Sequence, residues 1–130
     1  MTWVEAFAVL ATSHLVGDFL FQTDWQARHK YGGLGADPIR RRALLTHVTT
    51  YTAAFLPALV WIGIERGAAR AVAIGFVVAV PHMIQDDGRL LDAYMDKVKG
   101  LSQTSSGLRV AVDQSFHVVF LLATALLVVA

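Results

Sequence analysis

The sequence holds no cysteine, which excludes disulfides, thiolate metal sites and cysteine nucleophiles. Charge is scarce as well: Asp, Glu, Lys and Arg make up 16% of the residues, well below a soluble globular chain, and the net charge of +1 gives no electrostatic footprint for nucleic acid. There is no G-x-S-x-G elbow, no Walker loop and no G-x-G-x-x-G, so serine hydrolase, P-loop and dinucleotide chemistries are not indicated. No stretch alternates as a half-buried strand would. What fills the chain instead is apolar: 55% of its 130 residues are hydrophobic and the mean hydropathy is +0.52. That composition belongs to a membrane protein, and the length to one domain, 1–130.

Four runs are long enough to cross a bilayer core, about 20 residues each. They are 2–22, 43–64, 68–86 and 108–130. The segment before the first run lacks a basic stretch, so that run is expected to be a permanent span rather than a signal peptide. Gly32, Gly33 and Gly35 mark the polar segment 23–42 as an aqueous loop, and Asp37-Pro38 reads as an N-cap with a first-turn proline. Glu65-Arg66-Gly67 is a short turn. Pro81 should kink or loosen the third span. In the second polar segment, 87–107, Leu90, Leu91, Tyr94, Met95 and Val98 fall near one helical face, as in a short amphipathic helix at the membrane surface; Gly100 can end it and 103–107 is a flexible lead-in.

The fold class expected is an all-α, antiparallel four-transmembrane-helix bundle with one short interfacial helix. Only helices fit, because a span must satisfy its own backbone. The two long loops carry Arg28, Lys30, Arg40, Arg41, Arg42, Arg89, Lys97 and Lys99, against Arg66 and Arg70 on the other side. By the positive-inside tendency both loops face the cytoplasm and both termini lie outside the inner membrane. Trp25 and Tyr94 suit one interface and Trp61 the other.

Inside this apolar chain one motif recurs. His14 and Asp18 stand four residues apart, as do His82 and Asp86, and Asp113 and His117 repeat the pair in reverse. Residues four apart share a helix face about 6 Å apart along the axis. Antiparallel threading turns H-x-x-x-D into D-x-x-x-H, so in all three spans the histidine lies deeper than the acid. His47, with Tyr51 one turn deeper, falls on the same side. Four helices thus bring His14, Asp18, Gln22, His47, Tyr51, His82, Asp86, Asp113, Gln114 and His117 to one level in the cytoplasmic half.

Ionisable groups at membrane depth cost roughly 2.5–3.5 kcal/mol each on insertion scales. Imidazole and carboxylate ligands suit one or two divalent ions, zinc, manganese or iron, with nickel also compatible, rather than copper(I). The candidate ligands are His14, Asp18, His47, His82, Asp86, Asp113 and His117, supported by Gln22, Tyr51 and Gln114. Asp18, Asp86 and Asp113 are the candidate catalytic carboxylates. A water on such an ion becomes acidic near neutrality, which is hydrolase chemistry. His29 reads as a solvated loop residue; Asp87, Asp92 and Asp96 read as surface charges, with Asp87 within reach of the site mouth. Arg40–Arg42 read as a topology anchor or, less simply, a headgroup contact.

The stretch His14-Leu15-Val16-Gly17-Asp18-Phe19-Leu20-Phe21-Gln22-Thr23-Asp24-Trp25, followed by Lys30, then Leu44-Leu45-Thr46-His47 with Tyr51, His82-x-x-x-Asp86 and Asp113-Gln114-x-x-His117, resembles a bacterial and phage family of small integral membrane proteins catalogued as a domain of unknown function. The resemblance covers nearly the whole chain and implies a few spans and an important His/Asp set, with no activity. The chain is more distantly similar to membrane-bound metal-dependent hydrolases with H-x-x-x-D motifs. Where a basic residue is expected just after the His82 pair it reads Asp87-Gly88-Arg89. Asp86-Asp87-Gly88-Arg89 also lacks the spacings of the CDP-alcohol phosphotransferase motif.

Three functions stay open. One is a metal-dependent hydrolase acting on an amphiphilic phosphoester or acyl substrate at the cytoplasmic leaflet; another is a metal-ion or proton transporter or channel; the third is a non-catalytic interaction protein whose His-Asp pairs lock the bundle. The bilayer is the partner in each. Four short helices bury little surface, which leaves room for a homodimer.

Overall fold

A reciprocal cap starts the chain. The Thr2 hydroxyl accepts from the Glu5 N–H and the Glu5 carboxylate accepts from the Thr2 N–H, and α1 (Trp3–Leu15) follows. The computed structural model describes residues 1–101 and 106–130; all of its regular structure is helical, with no strand among the described residues. Helix α1 runs without interruption into a π-helical turn, Val16–Leu20, in which the Phe21 N–H reaches back five residues to the Val16 carbonyl at 2.9 Å.

The loop expected over 23–42 contains a helix, α2 (Asp24–His29). Thr23 and Gln26 form a second reciprocal cap there, so the local signal was the T-x-x-Q spacing. Helix α3 (Pro38–Ala54) begins where Asp37-Pro38 indicates, with Asp37 accepting the N–H groups of Ile39 and Arg40. It ends at Phe55, and α4 (Leu56–Arg66) leaves at a bend of 50°. Pro57 explains the break, since it has no N–H to continue the ladder and sits in the first turn of the new helix, where none is needed. Helix α5 (Ala68–Asp86), by contrast, runs uninterrupted through Pro81, so the proline-induced break falls in the second apolar run rather than the third.

Among the described residues three helical segments are long and apolar enough to cross a membrane, namely Trp3–Leu20, Ala68–Asp86 and Gly107–Val129; a fourth crossing exists if the bent pair α3–α4 counts as one span. Helix α6 (Arg89–Lys97) is short and amphipathic, but it buries only Leu91 and Met95 while Leu90 and Val98 face outward; five residues span more arc than one buried stripe holds. Helix α7 (Ser106–Val129) closes the bundle. Of the expected flexible lead-in over 103–107, residues 103–105 lie outside the described residues.

Helix α1 packs on α7, α4 on α5, and α3 on both α5 and the π turn. Half of the interior is predominantly apolar: Ala6, Leu10, Phe55, Ile62, Val78 and Leu121 belong to one buried cluster. At that end the N-terminal ammonium meets Glu65 at 3.1 Å, and Arg70 caps the Val128 carbonyl at 2.9 Å. The polar side chains gather in the other half.

Candidate metal centre

Asp18 reaches the interior because the π turn carries it there and because residue 17 is glycine. A Cβ at Gly17 would lie 2.7 Å from Tyr51 Cδ2 and 3.2 Å from Tyr51 Cα, so the end of the first span and α3 touch backbone to ring only without a side chain. That approach sets Asp18 beside His47 of α3. Helix α5 supplies His82 and Asp86, and all four residues are buried.

Asp18, His47, His82 and Asp86 each offer one ligand atom within 4.8 Å of the others. His47 Nε2 lies 2.7 Å from Asp86 Oδ2, 3.3 Å from Asp18 Oδ1 and 3.1 Å from His82 Nε2. His82 Nε2 lies 3.3 Å from Asp86 Oδ2 and 3.5 Å from Asp18 Oδ1. A tetrahedron with arms of about 2.0–2.1 Å has edges of about 3.3–3.4 Å, the size of a four-coordinate zinc site. Four of the edges, at 3.1–3.5 Å, therefore match it to within about 0.3 Å, while the His47–Asp86 edge has the length of a hydrogen bond.

The hydrogen-bond pattern makes the group electron-rich. The Asp113 carbonyl, which can only accept, lies 2.9 Å from His117 Nδ1, so that nitrogen carries the proton. His117 Nε2 is then the acceptor for His82 Nδ1–H at 3.0 Å. Neutral His82 is left with a bare lone pair on Nε2, aimed at His47 and the two carboxylates. His47 Nε2 can donate to one oxygen only, and Asp86 is nearest. Asp18 Oδ1 and His47 Nδ1 are buried without a hydrogen bond, a costly arrangement for polar atoms in a low dielectric. A cation at the centre of the four atoms would satisfy Asp18 Oδ1, although His47 Nδ1 would still lack the usual outer partner of a ligating imidazole.

The other expected ligands surround this group. His117 stands one hydrogen bond behind His82, with Nε2 3.6 Å from Asp86 Oδ1. His14 is tied off, accepting at Nδ1 from the Tyr51 hydroxyl at 3.1 Å and donating at Nε2 to Gln114 Oε1 at 2.9 Å; its nearest carboxylate, Asp18 Oδ2, is 3.6 Å away. Asp113 is partly exposed, in a cleft with Asp86, and its carboxylate meets Gln114 Nε2 at 3.5 Å. Tyr51 stacks on His82 with centroids 3.4 Å apart and planes at 5°, which fixes that imidazole's tilt. The close contacts join different helices: His47 of α3 is nearer Asp86 than is His82, Asp86's own i−4 neighbour.

Lys30 is the participant that spacing did not reveal. Its Nζ lies 2.6 Å from Asp86 Oδ2 and 2.6 Å from Gln22 Oε1, so Gln22 serves the centre through the lysine. The loop that carries Lys30 is pinned from below. Gly32 N–H donates to the Asp87 carbonyl at 2.9 Å and Leu34 N–H to Asp87 Oδ1 at 2.8 Å. Asp87 is thus a clamp, 3% exposed, and not the surface charge its position suggested. Burial raises its pKa, but the Arg89 guanidinium and the Leu34 N–H outweigh that and hold its carboxyl below the ordinary range. Tyr31 packs over Gly88, where a Cβ would come within 2.5 Å of its ring, and bonds Asp92, which also pairs with Arg109. Asp92 is accordingly a bridge between loop and α7. His29 stays peripheral, 2.8 Å from the Trp25 carbonyl. Arg41 holds the Gly35 carbonyl at 2.7 Å, Arg40 donates to the Tyr31 carbonyl at 3.5 Å and Arg42 lies 6.0 Å over the Trp25 ring, so all three arginines brace the segment between α2 and α3 or its flanks.

The arrangement is a buried His2Asp2 group, backed by further imidazoles and reached from one side past a lysine. Neither a curated protein nor a solved structure matches the chain. A family model does match it over residues 6–130, and the chain belongs to that family, described as Protein of unknown function (DUF3307).

Proposed function

We propose that this is an integral membrane metalloenzyme, a hydrolase that cleaves a phosphoester or acyl bond of an amphiphilic molecule at the cytoplasmic leaflet. Asp18, His47, His82 and Asp86 hold one divalent ion, with zinc the best geometric fit. The carrying observation is the four-atom group with its near-tetrahedral edges and the Asp18 oxygen that no hydrogen bond satisfies. The ion supplies Lewis acidity and lowers the pKa of a coordinated water. His117 and the Asp113 carbonyl keep His82 Nε2 deprotonated toward it. Asp113, at the cleft, is placed to take up or deliver a proton. Both long loops face the cytoplasm under the positive-inside tendency.

The apolar half argues against a conduit. Beyond Tyr51 the interior continues as Phe55, Leu10, Ile62 and Val78, and a buried hydroxyl there, Thr124, bonds its own helix. Elemental analysis of protein purified in detergent without added metal should return about one zinc, manganese or iron per chain, absent from His47→Ala. The same preparations should hydrolyse a short-chain p-nitrophenyl ester or phosphoester in the loaded form only. A second reading rests on Lys30, whose ammonium already compensates Asp86. Metal-free, fully stable protein that Asp86→Asn merely destabilises would establish that locking role and end the enzymatic one.

A further inference from the structure

We infer that the centre takes an amphiphile with an anionic head group and an apolar tail, the tail lying beneath α6 and the head at Lys30. It deepens the proposed hydrolase reading by assigning a substrate class, and it rests on that reading for the ion that strengthens binding of the head and for the head's fate.

Two cavities meet where α5, α6 and α7 converge. One is a slot of about 220 Å³ lined by Gln85, Leu90, Leu91, Tyr94, Asp113 and Phe116. The other, about 310 Å³, includes Lys30, Asp86 and Arg109 and shares Gln85, Leu91 and Asp113 with the slot. The shared residues make the two cavities adjacent, with Gln85, Leu91 and Asp113 at their junction. Gln85 and Asp113 are among the shared residues, so apart from the Tyr94 hydroxyl the slot's polarity lies at the junction and the remainder is leucine and aromatic ring. Tyr94 and Phe116 meet edge to face with centroids 4.9 Å apart and hold α6 against α7. Leu90 and Phe116 are also exposed on the outer surface, where a bilayer would supply acyl chains. A tail can therefore pass from lipid into the slot without crossing water, whereas a water-soluble substrate would gain nothing from it.

Charge selects the head. Lys30 and Arg109 face Asp86 and Asp113 across the cleft, a balanced set, with Arg109 further tied to Asp92. Asp86 Oδ2 is the atom shared by Lys30 and the four-atom group. When a divalent ion takes that oxygen, its two charges offset Asp18 and Asp86, and the lysine loses its main anionic partner. An anion then meets a free ammonium on one side and the ion on the other, while a cationic head meets repulsion from both.

The test measures binding of dodecyl phosphate, inorganic phosphate and dodecyltrimethylammonium to purified protein in nanodiscs, with zinc and with a chelator. Dodecyl phosphate should bind the zinc-treated protein at least tenfold more tightly than either of the others. Lys30→Met should weaken it about tenfold, Lys30→Arg should preserve it, and Leu90→Trp, filling the slot from an exposed position, should weaken it without touching the head. Equal binding of the cationic amphiphile, or an affinity indifferent to Leu90→Trp and Lys30→Met, overturns the inference. If zinc binds and the amphiphile does not respond, the substrate assignment falls and the metal centre stands. If zinc never binds but dodecyl phosphate follows both variants, the reverse holds.

Discussion

The same helices build both halves of this bundle, yet the halves are held by different forces. In one, Leu10, Phe55, Ile62 and Val78 interlock, and the buried Thr124 hydroxyl is satisfied by its own helix. In the other, His47, His82 and His117 with Asp18 and Asp86 form a hydrogen-bonded, charged cluster that remains incompletely satisfied. Tyr51 is the seam, with its ring 4.9 Å from Phe55 and stacked on His82. Packing in the first half fixes the helix positions; the second half uses those positions to hold groups that would not stay together unaided. Stability and function should therefore separate along the chain.

The most severe way to probe that separation is to remove a ligand. Asp86→Ala should reduce zinc affinity by more than a hundredfold in calorimetric titration and leave the half-buried Lys30 ammonium without its counter-charge, costing about 3 kcal/mol of stability. Phe55→Ala should cost a similar amount, about 3 kcal/mol, by opening a cavity, while zinc affinity stays within a fewfold of the parent; a large loss of affinity would show that the halves are not independent. Gly17→Ala sits on the seam itself. Its new methyl must push Tyr51 aside, so both properties should fall together, stability by about 1–3 kcal/mol. The smallest effect is expected at the clamp. Asp87→Asn should cost about 1 kcal/mol at neutral pH. Because the folded carboxyl titrates below its ordinary range, that advantage is fully present above the unfolded value of about 3.9 and vanishes as pH falls through the folded one. Melting curves of parent and variant should therefore converge in acid.

Reading the chain by period and by charge located the apolar runs, the cap at Asp37-Pro38, and the reversal of pair order that sets polar groups of several helices at one level. Those features are local, or follow from alternation of direction. Lys30 was named only within the family resemblance and as a loop charge; its role at the centre escaped because its partner Asp86 lies 56 residues away and nothing in a loop of mixed charges marks one lysine as turned inward. The π turn escaped for a different reason: His14 and Asp18 have normal helical spacing, and only the fit of Gly17 against Tyr51 shows why the backbone widens there. Asp87 was misjudged since a carboxylate among exposed charges looks solvated until the N–H groups it receives are seen. Pro57 and Pro81 look alike as residues, yet only the first falls at a helix end.

The Nδ1–H of His117 goes to a main-chain oxygen rather than to a carboxylate, and this has an evolutionary consequence. A peptide carbonyl is supplied by every amino acid, so position 113 can exchange its side chain and leave the imidazole's orientation intact. The chemistry displayed toward the cleft is thereby free to drift among descendants of this chain, while the proton arrangement deeper inside is inherited from the helix itself.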